Sequence, residues 1–554
     1  QAEGVIRANR RAGFSGSIWA VNPNRAVLAG EHCFASIEDL PYAPDAVLLA
    51  LSPERSVEAV EALSAMGAGG AVCMAAGFAE LGAAGRVLQN RLRQAAGDMA
   101  VLGPNCMGVM NLFDGVAVWG SDNHMESLGE RGAALISQSG AFAYGITNVE
   151  RSFPLGYSIS TGNQAVIDAA DCIDAVLEDD RVHAIGLYLE GLDNGNRLGA
   201  ACWRALQKGV PVVALKGGET PAGEAIAVSH TGAMVVETDL WQAFTRRFGI
   251  VEVSTPKALV EALKFLTLSG APRGKRLCAV TYSGGLNGLI AATAPSHGLT
   301  LPQPSDEGRA ALCAMMPDTV PVANPLDLNV PFSSSSGISA ENGESIAEGI
   351  ANLARDVSDM IVFFLDVPRR DDLALDATWL PSLQYLGDIA RELDVPCAVA
   401  GILPEGLDLQ LRQELIKAGV TPLLGFADAM EALSVGVQFG QTQVRLAGRT
   451  VPRLLDAQPV DAGTRMLDEA ASKALLGSYG LTLPESRSTT AEDAGQQAEE
   501  LGFPVALKVL SDTIAHKAKI GGVQLGLNSR EAVEQAVTDI QQALTAAPGT
   551  PSAE

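Results

Sequence analysis

The chain has 554 residues, of which 47% are hydrophobic and 19% charged, and this balance predicts several globular domains with apolar cores. Its formal net charge of -25 argues against a nucleic acid partner, because such binding depends on Lys and Arg neutralising phosphates. No apolar run reaches the ~20 residues of a membrane span, residues 1–15 lack a secretory signal, and the eight cysteines form no Cys-x-x-Cys pair. We therefore expect a cytoplasmic protein without a membrane partner, a zinc site or a disulfide framework.

Short apolar strands alternate with amphipathic helices between residues 15 and 112. The predicted strands are 17–21, 46–52, 70–74 and 99–103, and the predicted helices are 56–65 and 82–96. This alternation predicts a parallel sheet with helices on both faces. Ligands of such sheets bind beyond the carboxyl ends of the strands, so the turns that follow these strands are candidate binding loops.

Two later units share one pattern, in which an apolar strand is followed by a Ser-Gly turn and a helix. The first has a strand at 133–136 and the turn Ser137-Gln138-Ser139-Gly140, and the second has a strand at 277–281 and the turn Ser283-Gly284-Gly285. A helix N-terminus carries unpaired N–H groups and about half a positive charge. Two such ends at one spot would stabilise a phosphorylated side chain. The alternative is that each turn is an ordinary connection between a strand and a helix.

Two of the six histidines occur in sequence contexts that suit a phosphate carrier. His230 lies in Val228-Ser229-His230-Thr231-Gly232, after the strand-like run 210–216, and His516 precedes Gly521-Gly522. An imidazole nitrogen is a good nucleophile at neutral pH and a good leaving group once phosphorylated. A histidine can therefore hold a phosphoryl group between two substrates, although either residue could instead be structural.

Two charged residues accompany apolar strands. Glu190 ends the strand-like run that contains Leu187 and Leu189, where its carboxylate could orient an imidazole through the Nδ1–H group or simply be solvated. Lys508 lies inside the predicted strand 505–509, where a buried and unpaired ammonium would be costly. We expect an anionic partner for it, either a nucleotide phosphate or a structural carboxylate.

The rest of the chain continues the α/β pattern. We predict strands at 360–365, 397–402 and 523–527, a loop at 331–345, a linker at 450–462 and a helix at 468–479.

An ordered set of motifs along nearly the whole chain resembles the NDP-forming acyl-CoA synthetases, which include ADP-forming acetyl-CoA synthetase and succinyl-CoA synthetase. The set is specific, although each piece alone is weak. Its members are Gly13-Phe14-Ser15-Gly16, Val21-Asn22-Pro23, Gly77-Phe78-Ala79-Glu80, Leu102-Gly103-Pro104-Asn105-Cys106-Met107-Gly108, Ser137-Gln138-Ser139-Gly140, Ser160-Thr161-Gly162-Asn163, Lys216-Gly217-Gly218, Ser229-His230-Thr231-Gly232 and Asn324-Pro325-Leu326-Asp327.

This resemblance implies a multidomain α/β fold. Residues 1–125 would form a Rossmann-like CoA-binding domain without its first strand, and residues 126–268 a succinyl-CoA-synthetase-like domain that carries a phosphohistidine. Residues 269–450 would form a second flavodoxin-like ligase domain, and residues 463–554 the front part of an ATP-grasp domain. We interpret the chain as a fragment, since the family's glycine-rich CoA loop would precede residue 1 and its acidic Mg²⁺ ligands would follow Glu554.

The resemblance also implies roles for single residues. His230 corresponds to the phosphorylated histidine, Glu190 to the acid that orients it, and the two Ser-Gly turns to the helix starts that cradle the phosphate. His516 corresponds to a second phosphate-relay histidine, although Ala518-Lys519 replaces the small hydroxyl residue and Asp of relatives. The remaining roles are nucleotide binding at Lys508, substrate contact at Tyr144, and CoA binding at Asn22, Pro23, Ala76, Gly77 and Asn105.

We therefore expect an NDP-forming acid:CoA ligase that uses CoA, ATP and Mg²⁺ and acts on a small carboxylic acid, and we expect a homo-oligomer. ATP would phosphorylate the enzyme, the acid would take the phosphate as an acyl phosphate, and the CoA thiol would attack its carbonyl. Two alternatives stay open. One is the synthetase module of a protein lysine acetyltransferase or regulator, and the other is a CoA-ligase-type lyase that acts on an unusual acid.

Overall fold

The computed structural model divides the chain into two compact units, Gln1–Leu454 and Leu455–Glu554. His230, the loop predicted at 331–345 and most of the linker predicted at 450–462 lie outside the described residues. Those residues are 2–122, 130–192, 194–218, 238–315, 321–328, 348, 350–355, 358–367, 380–454, 466–514 and 516–546.

The first unit opens with helix α1 (Ala2–Arg11) and a small three-stranded sheet. Its strands are β1 (Ala20–Val21), β2 (Val27–Leu28) and β3 (Glu31–Phe34), in the order β1-β3-β2. The strand predicted at 17–21 is thus reduced to two residues. It ends where the Asn22 side chain accepts a hydrogen bond from the Asn24 N–H group and turns the chain.

The first of three main sheets in the described part of this unit follows, a three-stranded parallel sheet, as the alternation of strands and helices predicted. It contains β4 (Val47–Leu49), β5 (Gly70–Cys73) and β6 (Ala100–Leu102), with helices α2 (Pro53–Met66) and α3 (Ala83–Ala96) between them. Both helices pack through one apolar face, which buries Leu63 and Leu92 completely or nearly so. The carboxyl ends of these strands lead into the predicted binding loops.

A seven-stranded sheet forms the centre of the first unit, in the order β13-β12-β11-β9-β10-β7-β8. Five strands are parallel, while the hairpin of β7 and β8 joins antiparallel beside β10. The strands are β7 (Gly108–Asn111), β8 (Val116–Trp119), β9 (Gly132–Ser137), β10 (Leu155–Ser160), β11 (Val182–Leu189), β12 (Val212–Lys216) and β13 (Val251–Glu252), and the helices are α4 (Gly140–Thr147), α5 (Ala169–Val176), α6 (Gly195–Lys208), α7 (Thr238–Phe248) and α8 (Pro256–Leu268). The hairpin is therefore hydrogen-bonded to the second sheet, although it precedes the domain boundary predicted at residue 125.

The third sheet is parallel, with the order β15-β14-β16-β17-β18. Strands predicted at 277–281, 360–365 and 397–402 are confirmed to within one residue. Its strands are β14 (Leu277–Thr281), β15 (Leu326–Asp327), β16 (Met360–Phe364), β17 (Cys397–Gly401) and β18 (Thr421–Leu424), and the helices are α9 (Gly284–Thr293), α10 (Asp306–Met315), α11 (Leu380–Leu393), α12 (Leu409–Lys417) and α13 (Phe426–Leu446).

A buried ion cluster connects elements of the second and third sheets. The Glu261 and Lys264 side chains are fully buried on α8, 2.8 Å apart, and Arg151 donates to Glu261 at 2.8 Å. Arg151 also donates to the carbonyl of Leu424 at 2.6 Å, and Lys264 donates to the carbonyl of Arg151 at 2.9 Å. Burial lowers the pKa of Lys264, against the attraction of Glu261. Because Arg151 follows α4 and Leu424 ends β18, the cluster ties the helix after the first Ser-Gly turn to the third sheet.

The second unit contains a two-stranded antiparallel sheet of β19 (Val505–Lys508) and β20 (Val523–Leu527). Its helices are α14 (Glu469–Ser478), α15 (Ala494–Leu501) and α16 (Arg530–Ala546). The helix predicted at 468–479 is confirmed, and Asp468 caps it by accepting a hydrogen bond from the Ala471 N–H group at 2.7 Å. None of the helices within the described ranges is long and apolar enough to cross a membrane.

Candidate functional site

The first Ser-Gly turn is closed by its own hydroxyl groups. Ser137 Oγ donates to the carbonyl of Ser139 at 2.7 Å and accepts from the Ser139 N–H group at 3.1 Å. Ser139 Oγ in turn accepts from the Phe142 N–H group at 3.3 Å and caps α4. The other N–H groups in the first turn of a helix have no acceptor within that helix, so this end of α4 suits an anion.

The second turn repeats this pattern with Thr281 at the end of the strand. Thr281 Oγ1 donates to the carbonyl of Ser283 and accepts from its N–H group, both at 3.2 Å, and Ser283 caps α9 by accepting from the Leu286 N–H group. A Cβ atom built on Gly284 would lie 3.3 Å from Asp327 Oδ2. A carboxylate therefore lies beside the start of α9.

Gln138 joins the first turn to the predicted orienting acid. Its Oε1 atom accepts from the N–H groups of Glu190 at 2.5 Å and Gly191 at 3.0 Å, and its Nε2 atom donates to the Gly191 carbonyl at 2.9 Å. The Gln138 N–H group also donates to the carbonyl of Tyr188 at 3.0 Å. The structure thus brings together Gln138 and Glu190, which are 52 residues apart in the chain.

The end of β12 approaches the same place. A Cβ atom on Gly217 would lie 2.9 Å from Tyr188 Oη and 3.5 Å from Glu190 Cγ, so the backbone passes closely over both side chains. The Tyr188 ring stacks on Phe142 of α4 at 4.1 Å between centroids. Burial raises the pKa of Tyr188, and the charge of Glu190 raises it further. Gly217 precedes His230 in the sequence. Because His230 lies outside the described residues, the role of that histidine stays a prediction.

Several of the quoted motifs interlock around one carboxylate. Glu80 accepts from the Gly77 N–H group at 2.6 Å and from Asn163 Nδ2 at 2.5 Å. The Asn163 N–H group donates to the carbonyl of Pro104 at 2.9 Å, and Asn105 Nδ2 donates to Asn163 Oδ1 at 3.4 Å. Burial raises the pKa of Glu80, but these donors outweigh it and hold the pKa below its usual value. The motifs therefore fix the loops after β5, β6 and β10 against one another.

A cleft of about 1150 Å³ lies where these loops meet the first turn. Its walls include six of the predicted site residues, and Tyr144, 43% exposed, is one of them. The other five are Asn22, Asn105, Gln138, Ser139 and Gly140. Pro23, Ala76, Gly77, Glu190 and the second turn, Ser283-Gly284-Gly285, are not among its lining residues.

Sequence reasoning missed two cations in this cleft. Arg7 of α1 and Arg25 both line it, and both contact the Glu3 carboxylate, at 3.6 Å and 3.1 Å. Arg25 follows Pro23 in the same turn, so the rule that ligands bind beyond strand ends would have selected it along with Asn22. The carboxylates of Glu3 and Asp122 line the same cleft, so the two guanidinium groups balance acidic charge there and present N–H donors to it.

In the second unit, the expectation that Lys508 is buried is wrong. Its side chain is 41% exposed because β19 belongs to a sheet of only two strands, with no second layer covering every position. Lys508 Nζ lies 2.9 Å from Glu469 Oε1, so the carboxylate that we weighed as an alternative is a partner. His516 is exposed, and its carbonyl accepts from the Lys519 N–H group at 3.1 Å. Nucleotide binding at Lys508 and phosphate relay at His516 stay predictions.

All eight cysteines are present as thiols, and seven of them are buried. In the part of the chain that the structure describes, no three His, Cys, Asp or Glu side chains converge as a metal site. We therefore assign no step to Mg²⁺ through these residues.

Three family models match the chain. The CoA binding domain matches residues 2–111, the succinyl-CoA ligase like flavodoxin domain matches residues 130–266, and the ATP-grasp domain matches residues 458–552. These matches follow the order of the predicted domains.

Curated relatives and solved structures match over most of the chain. A trans-feruloyl-CoA synthase from an unknown prokaryotic organism is 28% identical over 547 residues, which are 95% of this chain and 74% of the relative. The ADP-forming acetate–CoA ligase I of Archaeoglobus fulgidus is 26% identical over 545 residues, 95% of this chain and 75% of the relative. The acetyl-coenzyme A synthetase 1 of Korarchaeum cryptofilum, solved with phosphate and ADP, aligns with a TM-score of 0.68 at 21% identity, over 80% of this chain and 92% of that chain. This last likeness shows the fold.

Proposed function

Because the chain belongs to the NDP-forming acyl-CoA synthetases, we propose that it is an acid:CoA ligase that makes an acyl-CoA from a carboxylic acid, CoA and ATP. The observation that supports this most strongly is the cleft shared by Asn22, Asn105 and the first Ser-Gly turn. In such a ligase the CoA thiol attacks an acyl phosphate that forms beside the phosphate cradle. A single cleft lined by the predicted CoA-binding residues Asn22 and Asn105 and by a helix N-terminus supports that arrangement.

We propose the following sequence of steps. The γ-phosphoryl group of ATP passes through His516 to His230, with release of ADP. A carboxylate oxygen of the substrate then attacks the phosphorus, and the imidazole leaves as the N–P bond breaks. The CoA sulfur attacks the acyl carbonyl, and inorganic phosphate leaves. Mg²⁺ supplies charge neutralisation at the nucleotide in phosphoryl transfers of this kind.

The residues around the first turn support the middle of this sequence. The N-terminus of α4 stabilises the negative charge that moves from the enzyme to the acid. Glu190 orients the imidazole and favours its protonated form. Arg7 and Arg25 offer positive charge to the phosphates of CoA in the same cleft.

A panel of carboxylic acids tests the proposal directly. We expect ADP or GDP release that requires both CoA and one of the acids, with acetate, 4-hydroxybutyrate and ferulate in the panel because curated relatives bear those names. Absence of CoA-dependent nucleoside diphosphate release with every acid would contradict the proposal.

The two alternatives predict other products. A lyase would convert the acyl-CoA further by elimination, which mass spectrometry of the products would detect. An acetyltransferase or regulator would need an acetyltransferase segment and would acetylate protein lysines. The curated relatives are CoA ligases and do not favour either alternative. We also propose that the enzyme is cytoplasmic. We propose further that it forms a homo-oligomer, and sedimentation of the purified protein would test this oligomeric state.

A further inference from the structure

Gln138 is the central residue of the first Ser-Gly turn, and it is only 9% exposed. It borders both the large cleft and a second cavity of about 220 Å³, which lies beside the end of β11. The proposed chemistry so far uses only the backbone of this residue.

Both the oxygen and the nitrogen of the Gln138 amide bond to backbone beyond β11. Its oxygen accepts two hydrogen bonds, from Glu190 and Gly191, and its nitrogen donates to the Gly191 carbonyl. An amide is needed for this set, because a carboxylate has no N–H donor and a hydrocarbon has neither donor nor acceptor. A buried backbone group left without a partner is unfavourable, so the set fixes the backbone at residues 190 and 191.

These hydrogen bonds attach the backbone of Glu190 to the first Ser-Gly turn. The same strand end is covered by Gly217, whose backbone lies close to Glu190 Cγ. Tyr188, two residues before Glu190, stacks on Phe142 of α4. The Gln138 hydrogen bonds and the Tyr188–Phe142 stack therefore join this strand end to the turn and to α4, and the close approach of Gly217 joins it to the end of β12.

We propose that Gln138 is a positioning residue, which sets the Glu190 carboxylate relative to the N-terminus of α4 so that phosphoryl transfer at the predicted phosphohistidine, His230, is fast. This inference rests on the proposed function. Because a displacement of about 1 Å at a reacting group can slow a reaction up to about a hundredfold, a change at Gln138 should act on the rate of transfer rather than on nucleotide binding.

The test is the time course of acid-labile phosphoenzyme formation from [γ-³²P]ATP in the full-length enzyme, with the label on His230 separated from the label on His516 by peptide mapping. With Gln138→Met, which keeps the size of the side chain but removes all three hydrogen bonds, we expect the rate to fall about tenfold or more while the KM for ATP changes less than about twofold. With Gln138→Glu, which keeps the two accepted bonds, we expect an intermediate rate. A purely structural role would not give this ranked loss of rate with an unchanged KM.

Gln164→Met is the matched control. Gln164 borders the same small cavity and accepts a hydrogen bond from the Ala169 N–H group at 2.7 Å. We expect its labelling rate to stay within about twofold of wild type. A Gln138→Met rate within twofold of wild type, or an equal loss in Gln164→Met, would overturn the proposal. If Gln138→Met does not fold, a wild-type rate in Gln138→Glu overturns it, and an intermediate rate supports it. Failure of the proposed function is distinct, since the wild-type enzyme would then form no acid-labile phosphoenzyme.

Discussion

The two Ser-Gly turns have the same hydrogen-bond pattern but different central residues and surroundings. In both, the last hydroxyl of the strand bonds the residue two positions later, whose own hydroxyl caps the helix. Between these two hydroxyl residues of the first turn lies Gln138, which reaches Glu190. The equivalent position, between Thr281 and Ser283, is Tyr282, which packs against Phe363 at 5.0 Å between ring centroids.

The charges at the two helix starts also differ. Ser139 and Gly140 line the cleft that Asn22 and Asn105 share. The second helix start already has the Asp327 carboxylate nearby, close to Gly284. A negative group there offsets part of the positive end of the helix dipole. The difference teaches that the local pattern sets the hydrogen bonds of each turn, while residues distant in the sequence set its charge and its surroundings.

The largest expected effect comes from breaking the buried ion cluster that ties the segment after α4 to the end of β18. Glu261→Gln removes the buried negative charge between Arg151 and Lys264 and leaves both cations without it. We expect the unfolding free energy of the first unit to fall by about 3 kcal/mol, and the labelling rate from ATP to fall with it. Urea denaturation followed by tryptophan fluorescence measures the first quantity.

Arg273→Gln is the control for that charge change. Arg273 pairs with Asp394 where both side chains are more than three-quarters exposed, so its loss should change the unfolding free energy by less than about 1 kcal/mol. Equal costs for the two substitutions would contradict the role assigned to the buried cluster.

Removing the two caps compares the turns directly. Ser139→Ala and Ser283→Ala each remove one helix-capping hydroxyl, and each should cost about 1 kcal/mol of stability. We expect Ser139→Ala to slow phosphoenzyme formation about tenfold and Ser283→Ala less than about twofold, because only Ser139 lines the cleft. Equal losses of rate would mean that the two turns contribute alike.

The smallest expected effect is a pH dependence of the stability that Glu80 gives to the loops after β5, β6 and β10. The pKa of Glu80 is lowered in the folded protein from its usual 4.5, so its contribution to stability is present above that pH and is lost as the pH falls through the folded value. Glu80→Gln should therefore cost about 1 kcal/mol at pH 7 and progressively less below pH ~4. Thermal unfolding at a series of pH values measures the difference.

The residue that we compare with Glu80 is Asn324, which bonds to the strand before the second turn and has a side chain that does not titrate. Asn324 bonds the Ala279 N–H group and the Leu277 carbonyl through a neutral amide. Asn324→Ala should therefore cost the same stability at neutral and acidic pH. A Glu80→Gln cost that is independent of pH would contradict the account of Glu80.

Much of the fold was predictable because buried parallel strands are continuous apolar runs with sharp ends. β14 (Leu277–Thr281) and β17 (Cys397–Gly401) occur where they were predicted, to within one residue. The sequence pattern was less informative for the hairpin of β7 and β8, whose strands pair with a sheet formed mostly by later residues. Lys508 was misjudged because an apolar strand was taken to be buried, while the two-stranded sheet leaves it exposed.

The candidate site was predictable residue by residue but not as a network. Ser-Gly turns and strand ends mark ligand-binding loops locally, which selected Ser139, Gly140 and Asn22. The bond between Gln138 and Glu190 spans 52 residues and depends on the pairing of β9 with β11. No local pattern encodes that contact, and none placed Arg7 of α1 in the cleft.

The central claim is that the enzyme carries a phosphoryl group on His230 between ATP and the acid. The most direct measurement is acid-labile ³²P labelling of wild-type and His230→Ala full-length enzyme with [γ-³²P]ATP, followed by a chase with CoA and the active acid. The account predicts a labelled wild type that loses its label in the chase with formation of acyl-CoA, and a variant that forms no acyl-CoA and carries label on His516 alone. Labelling of His230→Ala at the wild-type level, with acyl-CoA still formed, would contradict it.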